Sequence, residues 1–146
     1  MNEQAIFHLA IPINDVAQAK QFYGEDLGCD VGRENPQAVI FNFYGTQLVA
    51  HTTKEPFVRQ KGIYPRHLGL ILPTKQAWQA IADRASSRQL SFYKEPTLRF
   101  PGKLLEHYTF FLEDPFYNLL EFKYYLHPEV IFGGRESAAI GDRHTN

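Results

Sequence analysis

The sequence has few of the features that mark the more specialised classes of protein. Its 146 residues include a single cysteine, Cys29, so an intramolecular disulfide is excluded and a reducing cytoplasm is the expected location. The net charge of -1 gives no reason to expect nucleic acid or an anionic membrane surface as a partner. No apolar segment approaches the ~20 residues of a membrane helix. The first residues lack the basic and apolar regions of a signal peptide.

The composition is that of an ordinary globular domain. Hydrophobic residues make up 44% of the chain and charged residues 21%, which predicts one domain over residues 1–126 with a surface tail at 127–146. Aromatic residues are the one excess, with 12 phenylalanines and 8 tyrosines. They are consistent with an aromatic-lined cavity, and equally with a tightly packed β core.

Two short apolar segments, Phe7–Ile13 and Arg66–Leu72, share one pattern. In each, a histidine is followed by leucine, a small residue and an aliphatic residue, and His8 precedes His67 by 59 positions. A single histidine in an apolar strand is usually a satisfied core residue. Two at matching places indicate an internal repeat, whose pseudo-twofold axis would bring equivalent residues together, and converging imidazoles make a metal site.

The order of predicted elements repeats in the same way. Each half reads as β-α-β-β-β, giving modules at about 4–53 and 64–126 joined by a linker at 53–65. This predicts an α+β fold in which the modules form a curved mixed sheet around a metal-binding cleft. The predicted strands lie at 5–13, 29–32, 37–43, 47–52, 66–72, 89–93, 104–112 and 119–125, with helices at 16–27 and after Pro73-Thr74. The first strand reads as buried on both faces.

Glu121 is a carboxylate inside an apolar strand, where burial is costly unless the group is paired, protonated or coordinated. The alternative is that strand alternation points it to solvent. In the first module, Gln47, Val49 and His51 share one strand face, and either Val49 or His51 corresponds to Glu121. Two histidines and a carboxylate, with His51 as a possible third histidine, suit Fe(II), Mn(II), Zn(II) or Ni(II).

The sequence resembles the vicinal oxygen chelate superfamily, which includes glyoxalase I, extradiol dioxygenases, fosfomycin-resistance enzymes and bleomycin-binding proteins. The resemblance covers about residues 4–126. It rests on Phe7–Ile11, Ala19–Gly28, Arg66–Gly69 and above all Asp114–Phe122, which is similar to the family's Asp-Pro-x-Gly-Asn-x-x-Glu-Phe motif. It implies that His8, His67 and Glu121 occupy metal-ligand positions, with His51 near a fourth.

Several positions depart from the family pattern or extend it. Tyr117 stands where the motif has glycine, and Phe111 stands where extradiol dioxygenases often have a substrate-binding tyrosine. His107 is a candidate proton carrier, or else an exposed histidine on an edge strand. Arg99, in a predicted loop at 96–102 that would form a cleft lid, is a candidate partner for a substrate carboxylate, or else a solvated surface residue.

These features predict a metal-dependent enzyme that acts on a small oxygen-chelating substrate. An Fe(II) dioxygenase fits the two-histidine, one-carboxylate set best. A glyoxalase-like isomerase or lyase with four protein ligands is one alternative, and a metal-free binding or resistance protein is another. We expect a homodimer or, as the alternative, a monomer whose two modules pair closely, because the resemblance implies open sheets that usually need a partner.

Overall fold

The computed structural model describes residues 3–143, which form two β-α-β-β-β modules. In the first, β1 (His8–Ile13) is followed by α1 (Val16–Ala19), which continues as a π-helix over Lys20–Asp26. Strands β2 (Asp30–Asn35), β3 (Ala38–Phe43) and β4 (Thr46–Thr52) complete this module. The second contains β5 (Leu68–Ile71), α2 (Lys75–Ser87), β6 (Phe92–Arg99), β7 (His107–Glu113) and β8 (Leu119–Tyr125), and a 3-10 helix follows at Pro128–Val130.

Each module builds its own four-stranded mixed sheet. The strand order is β1-β4-β3-β2 in the first sheet and β5-β8-β7-β6 in the second. In both sheets the first strand runs parallel to the last, and the remaining pairs are antiparallel. The predicted α+β fold of two repeated modules is therefore confirmed, and β1 and β5 occupy equivalent sheet edges.

The burial of β1 alternates along the strand. Ile11 and Ile13 are buried in the core, whereas His8 and Ala10 are exposed on the opposite face. The expectation that this strand is buried on both faces is thus wrong. The reason is that α1 and the core cover only one face of the first sheet.

Side-chain caps set the starts of both helices. Asp15 accepts a hydrogen bond from the backbone N–H of Gln18, and Thr74 accepts one from Ala77. The first helical segment ends at Asp26, and Gly28 follows its C-cap Leu27 with a φ of 79°, the left-handed conformation that glycine adopts at little cost. Aromatic rings then join the modules in one core, with Phe43 of the first sheet 6.2 Å from Phe122 of the second.

The turn at Asp114–Asn118 is built around a buried carboxylate. Oδ1 of Asp114 accepts hydrogen bonds from the backbone N–H groups of Phe116 and Asn118, and Oδ2 accepts one from the Tyr23 hydroxyl at 2.6 Å. Tyr23 lies on the π-helix, so this carboxylate ties the first module to the second. Tyr117 has a φ of 67°, so the turn keeps the left-handed conformation that glycine would favour there.

Two regions of the second module differ from the sequence-based prediction. Strand β6 ends at Arg99, so residues 96–99 belong to a strand and the predicted lid loop at 96–102 is wrong over that part. The tail folds back on the second module, where Asp142 contacts Tyr64 and Arg99, and residues 144–146 lie outside the described part. Within residues 3–143, no helix is long and apolar enough to span a membrane.

Candidate metal centre

The register of β5 on β8 places His67 beside Glu121. Gly69 is paired with Glu121, and His67 lies two residues earlier, immediately before β5. The two strands approach so closely here that a Cβ atom at position 69 would lie 1.7 Å from the Glu121 carbonyl oxygen. Gly69, the small residue two positions after His67 in the repeated pattern, is therefore required by the close approach of the two strands.

The imidazole of His67 is held at both nitrogens. Nδ1 lies 2.7 Å from the Ile63 carbonyl oxygen, and because a carbonyl can only accept, Nδ1 carries the proton. Nε2 then points at Oε1 of Glu121, 3.2 Å away. Without a further proton this places two lone pairs face to face, an arrangement that requires either a protonated imidazole or a bound cation.

His67 and Glu121 shift each other's pKa values. The hydrogen bond to Glu121 raises the pKa of His67, although burial opposes the shift. Burial alone would raise the pKa of Glu121, but the His67 hydrogen bond, the Lys123 ammonium and the Thr109 hydroxyl together lower it. The metal-free pair therefore favours imidazolium and carboxylate, and a metal ion would displace the shared proton.

Glu121 is buried on the face of the second sheet opposite the main core. Only 9% of the residue is exposed, while Leu120 and Phe122 point into the core as alternation requires. The hydroxyl of Thr109 donates a hydrogen bond to Oε2 of Glu121 at 2.6 Å, and Nζ of Lys123 lies 3.6 Å from Oε1. The alternative of a solvent-facing carboxylate is therefore wrong.

His8 has the same kind of support on the first sheet. Its Nδ1 lies 2.7 Å from Oε1 of Gln47, its partner across β1 and β4. Because that carbonyl oxygen accepts, Nδ1 is the donor and Nε2 keeps a free lone pair. Both repeated histidines thus present Nε2, the nitrogen left free in many metal sites when a hydrogen bond at Nδ1 fixes the tautomer.

The register also decides which residue of β4 is equivalent to Glu121. Ala10 is paired with Val49 in the first sheet, as Gly69 is paired with Glu121 in the second. The equivalent residue is therefore Val49, the first of the two alternatives. His51 lies two residues farther along the same strand face and is exposed.

Within one chain the structure brings together His67 and Glu121 but not His8. No group of three or more histidine, cysteine, aspartate or glutamate side chains within residues 3–143 is placed to hold a metal ion. His8 lies on the first sheet and His67 borders the second, and the two sheets share no strand pairing.

His107 lies on an interior strand and is only 6% exposed, so the alternative of an exposed edge-strand histidine is wrong. Nδ1 donates to the Leu105 carbonyl at 2.8 Å, and the ring packs 4.8 Å from that of Tyr125. Burial lowers the pKa of His107, so the ring is neutral near pH 7 with Nε2 as a proton acceptor.

Phe111 forms the apolar wall of the same face. Its ring meets that of His67 edge-on, with a centroid separation of 5.2 Å, and it packs against Ile63 and Leu119. Phe111 therefore restricts the orientation of the His67 imidazole and excludes water from one side of it.

Arg99 reaches the same face from β6 and is not a free surface residue. Its guanidinium is hydrogen-bonded to the carboxylate of Asp142, a residue of the tail. The Arg99 side chain is 29% exposed, and the group that it holds is a carboxylate.

A cavity of about 480 Å³ lies between the modules and borders the candidate site at His67. Of the predicted metal residues, only His67 lines it. Its other walls include Leu9 and Ile11 from β1, Phe57 from the linker and Phe116 from the Asp114 turn.

Comparison with known proteins identifies the family. Residues 5–122 match the sequence profile of the Glyoxalase/Bleomycin resistance protein/Dioxygenase superfamily. The chain belongs to this superfamily. A search of curated proteins finds no match.

Solved structures of the superfamily agree with this assignment. A glyoxalase/bleomycin resistance protein/dioxygenase from Alicyclobacillus acidocaldarius is 40% identical, with a TM-score of 0.82 over 89% of this chain and 98% of that one. The fosfomycin resistance protein FosX from Listeria monocytogenes has 11% identity and a TM-score of 0.65, over 84% and 94% of the two chains. Lactoylglutathione lyase from Agrobacterium tumefaciens has 18% identity and a TM-score of 0.63, over 85% and 96%. The last two show the shared fold alone.

Several supporting groups in this superfamily member escaped sequence reasoning. They are the Ile63 carbonyl, the Gln47 carboxamide and the Asp142 carboxylate, which contact His67, His8 and Arg99 respectively. The order of residues along the chain does not predict these contacts. Thr109 and Gln47 carried a weak signal, because strand alternation puts them on the site faces. No sequence signal pointed to Asp142.

Proposed function

We propose that this member of the superfamily is a metal-dependent enzyme that acts on a small substrate able to chelate through neighbouring oxygen atoms. The observation that carries this proposal is the contact of Nε2 of His67 with Oε1 of Glu121, while Nδ1 is held by a backbone carbonyl. A buried carboxylate facing an imidazole lone pair is the donor set of a divalent cation site.

The residues fit a borderline metal ion with open coordination positions. Two histidines and one carboxylate match Fe(II) best among the candidates, with Mn(II), Zn(II) and Ni(II) as alternatives. Such an ion supplies Lewis acidity toward the chelating oxygens of the substrate. We therefore propose dioxygenase chemistry as the leading activity.

The third ligand, in this proposal, is His8 of the partner subunit in a homodimer. His8 is exposed with Nε2 free, and β1 and β5 are the terminal strands of their sheets. Apolar side chains remain uncovered beside these edges, among them Ile6, Phe7 and Ile71 at 73%, 64% and 46% exposure. Pairing two copies would cover these side chains and bring His8 to the His67–Glu121 pair.

The apolar Val49 favours three protein ligands over four. It occupies the position equivalent to Glu121, so the first sheet supplies no carboxylate there. A glyoxalase-like isomerase or lyase would need a fourth donor, and His51 is the residue of β4 that could supply it. A metal-free binding protein is less favoured. Such a protein could have apolar residues at the metal-ligand positions, whereas this chain has His8, His67 and Glu121 there.

The surroundings of His107, Phe111 and Arg99 suggest a role for each of them. Neutral His107 would accept a proton from the substrate, since its Nε2 is available and its face is shared with Glu121. Phe111 would form an apolar wall, and Arg99 would hold an anionic group. We propose a cytoplasmic location, in keeping with the single reduced and buried Cys29.

Metal analysis of protein prepared without chelators tests the proposal. Wild type loaded anaerobically with Fe(II) should hold about one metal ion per chain, and His67→Ala and Glu121→Gln should lose it. His127→Ala is a matched control, because His127 lies after β8 with a half-exposed side chain that pairs with Glu129 and not with Glu121. Oxygen uptake with catechols would support dioxygenase activity; tight zinc or nickel without oxygen uptake would favour an isomerase or lyase. Absence of metal in loaded wild type would contradict the proposal.

A further inference from the structure

A positively charged group of side chains lies on the Glu121 face at the far edge of the second sheet. Cross-strand pairing places Lys94 opposite Phe111 and Arg99 opposite His107. Paired residues of an antiparallel ladder share a face, so both cations lie on the face that carries Glu121. Lys94 is two strands away from Glu121, a separation of roughly 10 Å between backbones.

The tail places a carboxylate between these cations. Asp142 forms an ion pair with Arg99, and its Oδ2 lies 3.9 Å from Nζ of Lys94. The contact spans 43 positions between Arg99 and Asp142, so it is formed by the tail folding back and not by local chain geometry.

Tyr64 fixes the turn that carries Asp142. Its hydroxyl accepts a hydrogen bond from the backbone N–H of Asp142 at 2.8 Å, and the Arg143 guanidinium lies 4.6 Å from the centre of its ring. The same ring packs near His67, with a centroid separation of 6.2 Å. The tail, the cationic pair and the candidate metal ligands are thus connected through one side chain.

We propose that Arg99 and Lys94 form a subsite for an anionic oxygen group of the substrate, which Asp142 occupies until the substrate displaces it. This inference rests on the proposed function, and it adds a substrate class: a molecule with two chelating oxygens at one end and a carboxylate, phosphonate or phosphate at the other. A guanidinium fork beside an ammonium is matched to such groups.

The internal ion pair is suited to displacement. The side chain of Asp142 is 46% exposed and that of Arg99 is 29% exposed, so solvent screens their attraction. An external anion must therefore overcome only a weak contact, and its apparent affinity is reduced by the fraction of molecules in which the tail is docked. Removing the tail carboxylate should restore that lost affinity.

Calorimetric titration of the metal-free protein with inorganic phosphate, methylphosphonate and acetate tests the subsite without the metal site. Asp142→Asn should tighten binding of the preferred anion by about fivefold or more, because it removes the competitor. Tyr64→Phe should tighten it less, because it loosens the tail without changing any charge. Arg99→Ala should weaken binding by about tenfold or more. Arg33→Ala on β2 and Asp83→Asn on α2 are charge-matched controls and should behave as wild type.

The pattern of results distinguishes this inference from the proposed function. Phosphate or methylphosphonate binding would assign a phosphorus oxyanion, and selective acetate binding would assign a carboxylate. Unchanged anion affinity in Asp142→Asn would overturn the claim that Asp142 competes with the anion. Unchanged anion affinity in Arg99→Ala would overturn the subsite. The subsite would also be overturned if neither Asp142→Asn nor Arg99→Ala bound any of the three anions. These results are independent of metal content, so loss of metal binding would defeat the proposed function alone.

Discussion

Nε2 of His67 lies 3.2 Å from Oε1 of Glu121, while Nδ1 of the same ring donates to the Ile63 carbonyl. The imidazole therefore has one nitrogen fixed as a donor and the other aimed at a buried carboxylate. A proton or a cation must lie between Nε2 and the carboxylate oxygen. This competition between proton and cation leads directly to a pH prediction.

In metal-free protein, NMR titration should give His67 a pKa above the usual value of about 6.5, because the Glu121 carboxylate stabilises the imidazolium. Glu121→Gln should lower it. Since the folded pKa of His67 is raised and that of Glu121 is lowered, the stabilising contribution of the pair is full between about pH 4.5 and pH 6.5. It is lost as pH rises through the folded pKa of His67 or falls through that of Glu121. Urea unfolding should therefore show a larger cost of Glu121→Gln near pH 6 than near pH 9. A pH-independent cost would contradict the pairing.

Thr109→Val should weaken metal binding by roughly tenfold to a hundredfold, because the hydroxyl orients Glu121 through Oε2. The fold should persist, since valine nearly matches threonine in shape. Thr97→Val is the matched control: Thr97 is paired with Thr109 on the next strand and is exposed. Equal metal affinity in the two variants, measured by competition with a chromophoric chelator, would argue against this role.

Gly69→Ala should both destabilise the protein and impair metal binding. The new methyl group would meet the Glu121 carbonyl, so β5 must shift, at a cost of roughly 1–3 kcal/mol. Gly62→Ala, where the added methyl group would have no neighbour within 4 Å, should change stability by less than about 0.5 kcal/mol. Denaturant unfolding measures both. Similar stabilities would show that the close approach of the strands is not a constraint.

Tyr23→Phe should reduce the free energy of unfolding by about 1.5–3 kcal/mol, since it removes a buried hydrogen bond to the Asp114 carboxylate. Tyr44→Phe is a fair comparison, because the Tyr44 hydroxyl bonds only a backbone carbonyl at a half-buried position. Its cost should be smaller. The reverse order would contradict the view that Asp114 ties the modules together.

The repeat and the contact between His67 and Glu121 could be predicted because both leave local signals. His8 begins β1 and His67 immediately precedes the equivalent strand β5, and a glutamate between core-facing leucine and phenylalanine marks a buried polar position. Strand alternation is set by neighbouring residues, so the shared face of His107, Thr109 and Phe111 also followed from the sequence.

The remaining features depend on contacts between distant parts of the chain. Nothing near Arg99 signals that Asp142 will return to it, and the Ile63 carbonyl has no sequence signature at all. The choice between Val49 and His51 depended on strand register, which counting from the turns left open by two residues. The separation of His8 from His67 depended on how the two sheets pack, a relation that repeat symmetry alone does not determine.

Metal analysis of mixed variants tests the central claim, that His8 of one subunit completes the His67–Glu121 site of another. His8→Ala and His67→Ala, each prepared alone, should bind no metal. Unfolded together and refolded in equal amounts, they should regain metal in about a quarter of the sites, because half of the randomly assorted dimers contain one site with all ligands intact. Absence of metal in the refolded mixture, alongside a fully loaded wild-type control treated identically, would contradict the shared site.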